Sequence, residues 1–217
     1  MRLYKLFALT FYVFLLNGCV VHIGEKGYLG NSMDAVFGEI RVAAGLSVGS
    51  LSNVNGGISI ESGATVDNVD AVNGDISIAE NVSVGNVNSV NGNIDISENL
   101  TGRRSVESVN GNIVIGRQSI VAHSVTTVNG NIELNGVSVG FDVETLNGDI
   151  HIAAGSEISG DIRIKRSRNS NRLFESKHKP TLRIDQGVTL RGNIYLEKGA
   201  ELKIADPSIA EKVIGLE

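Results

Sequence analysis

The side chains that could carry acid–base or metal chemistry are scattered along this sequence. The four histidines, His22, His123, His151 and His178, lie far apart, and none has an Asp or Glu at a spacing that closes a metal site. Hydrolysis of a glycosidic bond needs two carboxyl groups converging on it. The slot between paired branched residues reads Ser59, Ser77, Asp95, Val114, Glu133 and His151, so no carboxylate pair and no basic partner recurs there. Asp95 and Glu133 therefore read as solvated strand residues and the histidines as surface groups. The glycine-rich copies described below do not make a phosphate loop, because they lack Lys-Ser/Thr and lead into a strand instead of a helix. These observations predict no catalytic residue, no metal site, no cofactor and no enzymatic activity.

Charge is concentrated in one place. Lys165, Arg166, Arg168, Arg172, Lys177 and Lys179 stand against Glu175 alone, net +5 over 165–180, so the remainder carries 13 basic and 23 acidic residues, net −10. Such a segment suits an anionic glycan, a lipopolysaccharide phosphate or an acidic partner through charge-assisted hydrogen bonds, or it is a solvated insertion without a ligand. An overall charge of −5 argues against nucleic acid as a partner.

The one cysteine excludes an internal disulfide and has a telling position. Arg2 and Lys5 precede an apolar run, Leu6 to Leu16, that has signal-peptide length and is too short to span a bilayer as a stable helix. Leu16-Asn17-Gly18-Cys19 follows directly. This resembles the lipobox of bacterial lipoproteins, which implies removal of 1–18 and a diacylated Cys19 as the attachment to a membrane. In a Gram-negative host, Val20 after the cysteine resembles the sorting signal for the outer membrane.

Self-similarity dominates the rest. Val-Asn-Gly-x-Ile-x-Ile occurs at Val54 to Ile60, Val72 to Ile78, Val90 to Ile96 and Val109 to Ile115, with variants at Val128 to Leu134 and Leu146 to Ile152. From Gly38 through Gly56, Gly74, Gly92, Gly111 and Gly130 to Gly148 the steps are 18, 18, 18, 19, 19 and 18. A finer period of six links Val36, Val42, Val48, Val54, Ile60, Val66, Val72, Ile78, Val84, Val90 and Ile96. Three sixes make a coil, so the sequence predicts an all-β fold, a single-stranded parallel β-helix of triangular section, with these residues pointing to the axis. On that reading an Asp at Val90 or Ile94 would cost several kcal/mol, because an inward charge has no partner. Val69, Val87, Val106, Val125 and Val143 fall on another face. The unlike sides, and Ile58, Ile76 and Ile94 standing where left-handed hexapeptide helices prefer a small residue, favour a right-handed coil.

An Asn-Gly pair suits a corner, since both residues tolerate positive φ and Asn can bond neighbouring backbone. Hairpins, the other use of Asn-Gly, give no reason for a constant eighteen-residue step. Stacked coils would align Asn55, Asn73, Asn91, Asn110, Asn129 and Asn147 into an amide ladder beside Gly56, Gly74, Gly92, Gly111, Gly130 and Gly148.

The predicted organisation is a leader at 1–18, a lipidated tether and N-terminal cap at 19–35, repeats at 36–164, a basic insertion at 165–181, final coils at 182–205 and a cap at 206–217. After Ile164 the register resumes at Ile184, Leu190, Leu196 and Leu202. Asp206-Pro207-Ser208 predicts a short helix, with Ile209, Val213 and Ile214 facing the last coil.

The repeats with the lipobox resemble bacterial β-helical lipoproteins of adhesin type and, more distantly, the polymer-forming bactofilins, over residues 36 to 204. The resemblance implies an exported, non-catalytic structural or adhesive lipoprotein. Its partners would be the membrane, an envelope polysaccharide or protein, or further copies joined end to end or side by side. Binding or processing of glycan through the basic insertion is the alternative.

Overall fold

In the computed structural model, which describes residues 21–23, 32–165, 179–197 and 199–215, the chain winds into a stack of three-sided coils. Each coil contributes one strand to each of three sheets, and every strand pairs in parallel with the equivalent strand of the coils before and after it. Among the described residues two sheets have ten strands and the third has eight. Nine steps of ~4.8 Å make a rod roughly 43 Å long.

One coil shows the construction. Val69–Asn73 is a five-residue strand on the long face; the Asn73-Gly74 corner turns it into Ile76–Ile78 on the second face; a turn through Asn81 leads to Ser83–Val84 on the short third face. The next long strand begins at Val87. Like residues stack on like: Ile76 on Ile94, Ile78 on Ile96, Val87 on Val69. That stacking is why the repeat keeps its register, since every inward side chain fills the space above its own copy.

The step of 18 is not kept by strands alone. Val84 and Val87 are joined by two residues, whereas Gly102 and Val106 are joined by Arg103, Arg104 and Ser105. The extra residue is absorbed at a corner and the ladders run on in register. Arg103 fastens the widened corner by donating to the Ser83 hydroxyl at 2.8 Å and the Val66 carbonyl at 3.0 Å.

The expected six-residue inward period holds for two sides of the triangle and fails on the third. Val42, Val48, Ile60, Val66, Ile78, Val84 and Ile96 are buried. Val36, Val54, Val72 and Val90 point outward and are between 37% and 58% exposed. Strand parity is the reason: on the long face Val69 and Ala71 are buried, so Asp70 and Val72 must face solvent. Val87, Val106, Val125 and Val143 supply the core on that face instead. A full coil therefore buries six side chains, such as Ala64, Val66, Val69, Ala71, Ile76 and Ile78.

Both ends add strands. Val21–Ile23, within the stretch expected to be tether and cap, pairs with Ile40–Val42, and Met33–Phe37 pairs with Leu51–Asn55, so stacking starts before residue 36. At the other end, Asp206 caps a one-turn helix, Pro207–Ala210, accepting from the Ser208 amide at 2.9 Å, and Ile209 is buried. Helix and cap differ from expectation beyond that point. Val213–Gly215 is a strand pairing with Ile194–Leu196, which turns Val213 partly inward and leaves Ile214 exposed. Leu202, expected inward, lies on the last described strand of its sheet and is partly exposed.

Candidate functional site

The Asn-Gly corner is the most regular polar feature of the rod. Asn73 Nδ2 donates to Asn55 Oδ1 at 3.1 Å, and the pattern continues through Asn91 at 3.0 Å, Asn110 at 2.9 Å, Asn129 at 2.8 Å and Asn147 at 2.8 Å. From Asn73 to Asn129 each amide thus donates down and accepts from above, so these side chains bond along the rod. The glycines beside them are required by closeness as much as by φ. Gly56 and Gly74 take φ of +149° and +155°, whereas Gly92, Gly111, Gly130 and Gly148 lie outside the left-handed range. At Gly92 a Cβ would come within 2.1 Å of the Gly74 carbonyl oxygen.

Two further ladders escaped the sequence reading. In the residue after each corner glycine, a side-chain oxygen accepts the amide of its counterpart one coil on: Asp75 from Asn93 at 2.7 Å, Asn93 from Asn112 at 2.9 Å, Asn112 from Asn131 at 2.8 Å. The signal was present, since the variable position of the motif is Asp or Asn in five of six copies. Inside the same corner, Thr127 and Thr145 donate to the Gly111 and Gly130 carbonyls at 3.0 Å each. Asn53, wholly buried, donates to Gly38 and Gly57.

A third corner is built on left-handed turns. Gly45, Gly63, Asn81, Asn99, Gln118, Gly136 and Gly155 all have φ between +58° and +80°. Asn bears this conformation at low cost and Gln does not.

The slot of Ser59, Ser77, Asp95, Val114, Glu133 and His151 is a continuous outward column on the second face, extended by Arg41, Arg183 and Lys203. A shallow surface depression of about 360 Å³ lies over Ser59, Ser77 and Asp95. Stacking gives His151 a partner that sequence spacing hides: its Nε2 lies 3.1 Å from Asp185 Oδ2, and Arg183 Nε donates to Asp185 Oδ1 at 3.0 Å. These contacts, the His151 hydrogen bond foremost, hold the Asp185 carboxyl below the usual carboxylate range. Among the described residues no three His, Cys, Asp or Glu side chains form a metal-ligating group.

A second charged knot sits where the chain leaves the regular stack. Arg163 bonds both Asp142 and Asp161 and lies 5.4 Å from the Tyr195 ring centroid, and Lys165 pairs with Glu144. Although burial alone would lower it, the Arg163 pKa is raised on balance by its carboxylate neighbours, Asp142 first. Of the basic cluster expected to meet anions, Lys165 is thus engaged with the rod and Lys179 is exposed, while Arg166, Arg168, Arg172 and Lys177 lie outside the described residues, as does Cys19. The insertion separates in the chain the strands Ile162–Ile164 and Thr181–Ile184, which pair with the strands on either side of the Asn147-Gly148 corner.

The family model described as Toastrack DUF4097 matches residues 53–180, more than half of the chain and most of the repeat stack. The chain belongs to the Toastrack DUF4097 family. No curated protein and no solved structure matches it. The match to the Toastrack family spans the six corner glycines from Gly56 to Gly148 and all six basic residues of the charged insertion. Among the described residues no helix is long and apolar enough to cross a membrane.

Proposed function

We propose that this Toastrack chain is a non-catalytic interaction scaffold of the bacterial cell envelope, anchored by lipid on Cys19 and presenting the long, repetitive faces of its rod to other macromolecules. One observation carries the reading. The polar residues that recur most faithfully, the corner asparagines and the Asp or Asn that follows five of the six corner glycines, bond to their own copies in adjacent coils. Their repetition therefore builds a stiff rod of constant section rather than a pocket, and a rod of that kind displays partners at a fixed spacing.

The anchor fits this use. Val21–Ile23 joins the first edge of the stack only two residues after Cys19, so a lipid at that position would sit at one end of the rod and direct its length away from the bilayer. In a Gram-negative envelope the bilayer would be the outer membrane.

Metabolic palmitate labelling, together with assays of the full chain on envelope polysaccharides, tests the proposal. Labelling that disappears in Cys19→Ala, with no polysaccharide turned over, is expected. Labelling that persists in Cys19→Ala would remove the anchor, and measurable turnover would remove the non-catalytic reading. Glycan binding that vanishes in the Arg166→Ala, Arg168→Ala, Arg172→Ala triple variant would transfer the function to the insertion.

A further inference from the structure

The long face carries a feature that the coil does not need. Its outward columns should be polar, and the column of Ser52, Asp70, Asn88, Glu107, Thr126 and Glu144 is. The column beside it is Val36, Val54, Val72, Val90, Val109, Val128 and Leu146, apolar in seven consecutive coils. Val54, Val72, Val90 and Val109 are 37–41% exposed, and Val128 and Leu146 are half-buried. An apolar ridge of this length, flat and bounded by an amide ladder on one side and a polar column on the other, marks a surface that is covered when the protein works.

We infer that a second copy of this chain covers it, packed face to face with its rod antiparallel and with the two-fold axis passing between the Val90 and Val109 coils. This rests on the scaffold reading and specifies one partner for it. The charge sequence of the polar column selects the arrangement. From the N-terminal end it runs Asp34, Ser52, Asp70, Asn88, Glu107, Thr126, Glu144, Arg163. Reversing one copy about that axis sets Asp34 against Arg163, Ser52 against Glu144, Asp70 against Thr126 and Asn88 against Glu107. Every carboxylate meets a neutral or basic group. A slip of one coil one way opposes Asp34 to Glu144 and Asp70 to Glu107; a slip the other way opposes Asp70 to Glu144 and Glu107 to itself. Like charges directly opposed are disfavoured, so both slips are penalised.

The same axis matches the ridge to itself, Val54 on Leu146, Val72 on Val128 and Val90 on Val109, and sets Val36 against Lys165 at either end. A slip of two coils either way also avoids the acid clashes, but it shortens the contact from eight coils to six. Eight strands at ~4.8 Å and five residues at ~3.3 Å give a contact roughly 34 Å by 17 Å, or about 1,100 Å² summed over both copies. That clears the ~1,000 Å² that a specific interface needs.

The test uses the full chain with Cys19→Ser, in mild detergent. Sedimentation velocity at about 50 µM should show a dimer. Combining Val54→Thr, Val72→Thr, Val90→Thr and Val109→Thr keeps β-branched side chains on the strand and should weaken the dimer at least tenfold with an unchanged circular dichroism spectrum. A short bismaleimide should join a Val54→Cys chain to a Leu146→Cys chain and join neither to itself. Self-joining of Val54→Cys would overturn the antiparallel register, and a monomer, or a dimer indifferent to the Thr variant, would overturn the surface. A photo-crosslinker at position 90 that captured a different protein and no second copy would overturn the occupant while leaving the scaffold reading in place.

Discussion

Val90 and Ile94 lie four residues apart on either side of one Asn-Gly corner, yet Val90 is 41% exposed and Ile94 is wholly buried. The difference follows from parity, because Val87 and Ser89 take the inward positions of the strand before the corner and Ile94 and Ile96 those of the strand after it. Ile94→Asp should cost about 4 kcal/mol or more, since the charge would enter a column of isoleucines. Val90→Asp should cost about 1 kcal/mol or less, the loss of strand propensity at a surface site. Thermal denaturation at low micromolar concentration separates the two, and equal melting temperatures would contradict the assignment of faces.

The glycine corners give a paired expectation. At Gly92 an added methyl would collide with the backbone of the coil below, so Gly92→Ala should destabilise by about 3 kcal/mol. Gly45 has open space around it and only its φ of +71° to satisfy, so Gly45→Ala should cost about 1 kcal/mol. Urea denaturation of both variants measures the gap, and the reverse order would show that backbone conformation outweighs closeness.

Gln118 holds φ of +59° in a column otherwise built largely from glycine and asparagine. Gln118→Gly should therefore raise stability by about 1 kcal/mol, provided the left-handed turn is kept. A lower melting temperature in this variant would mean that the Gln side chain contributes something that the turn geometry does not explain.

Acid should act partly through Asp185. Its folded carboxyl titrates below its unfolded value because His151, and then Arg183, favour the ionised form. The stabilisation is complete above the unfolded value near ~3.9 and is lost as pH falls through the depressed folded value. Asp185→Asn should be less stable at neutral pH and show a shallower loss below about pH 4. A denaturation midpoint with the same slope against pH in both proteins would remove this carboxyl from the acid response.

Much of this architecture is legible in the sequence because stacking demands copies. A residue that must fill the space above its counterpart recurs at the coil length, so Ile76, Ile94 and Ile113 announce their own alignment. Facing is harder to read. Branched residues six apart include Val66, which is inward, and Val72, which is outward, and both suit a β-strand equally. The small inward residues Ala71, Ser89 and Ser108, two places after each buried valine, carry the missing parity signal. The contact between His151 and Asp185 could not be read, because the insertion separates by 34 positions a strand residue and the residue just past the end of the adjacent strand.

The parallel stack is tested most directly by distances along the second face. In a Cys19→Ser chain, spin labels paired from position 41 to positions 133, 151, 183 and 203 report how far apart those outward residues lie. Stacking predicts roughly 24, 29, 34 and 38 Å, one ~4.8 Å step for each coil. The interval from 151 to 183 should add a single step although the two are 32 positions apart in the chain. Distances that alternated along the series, or a jump of several steps between 151 and 183, would contradict the stacked coil.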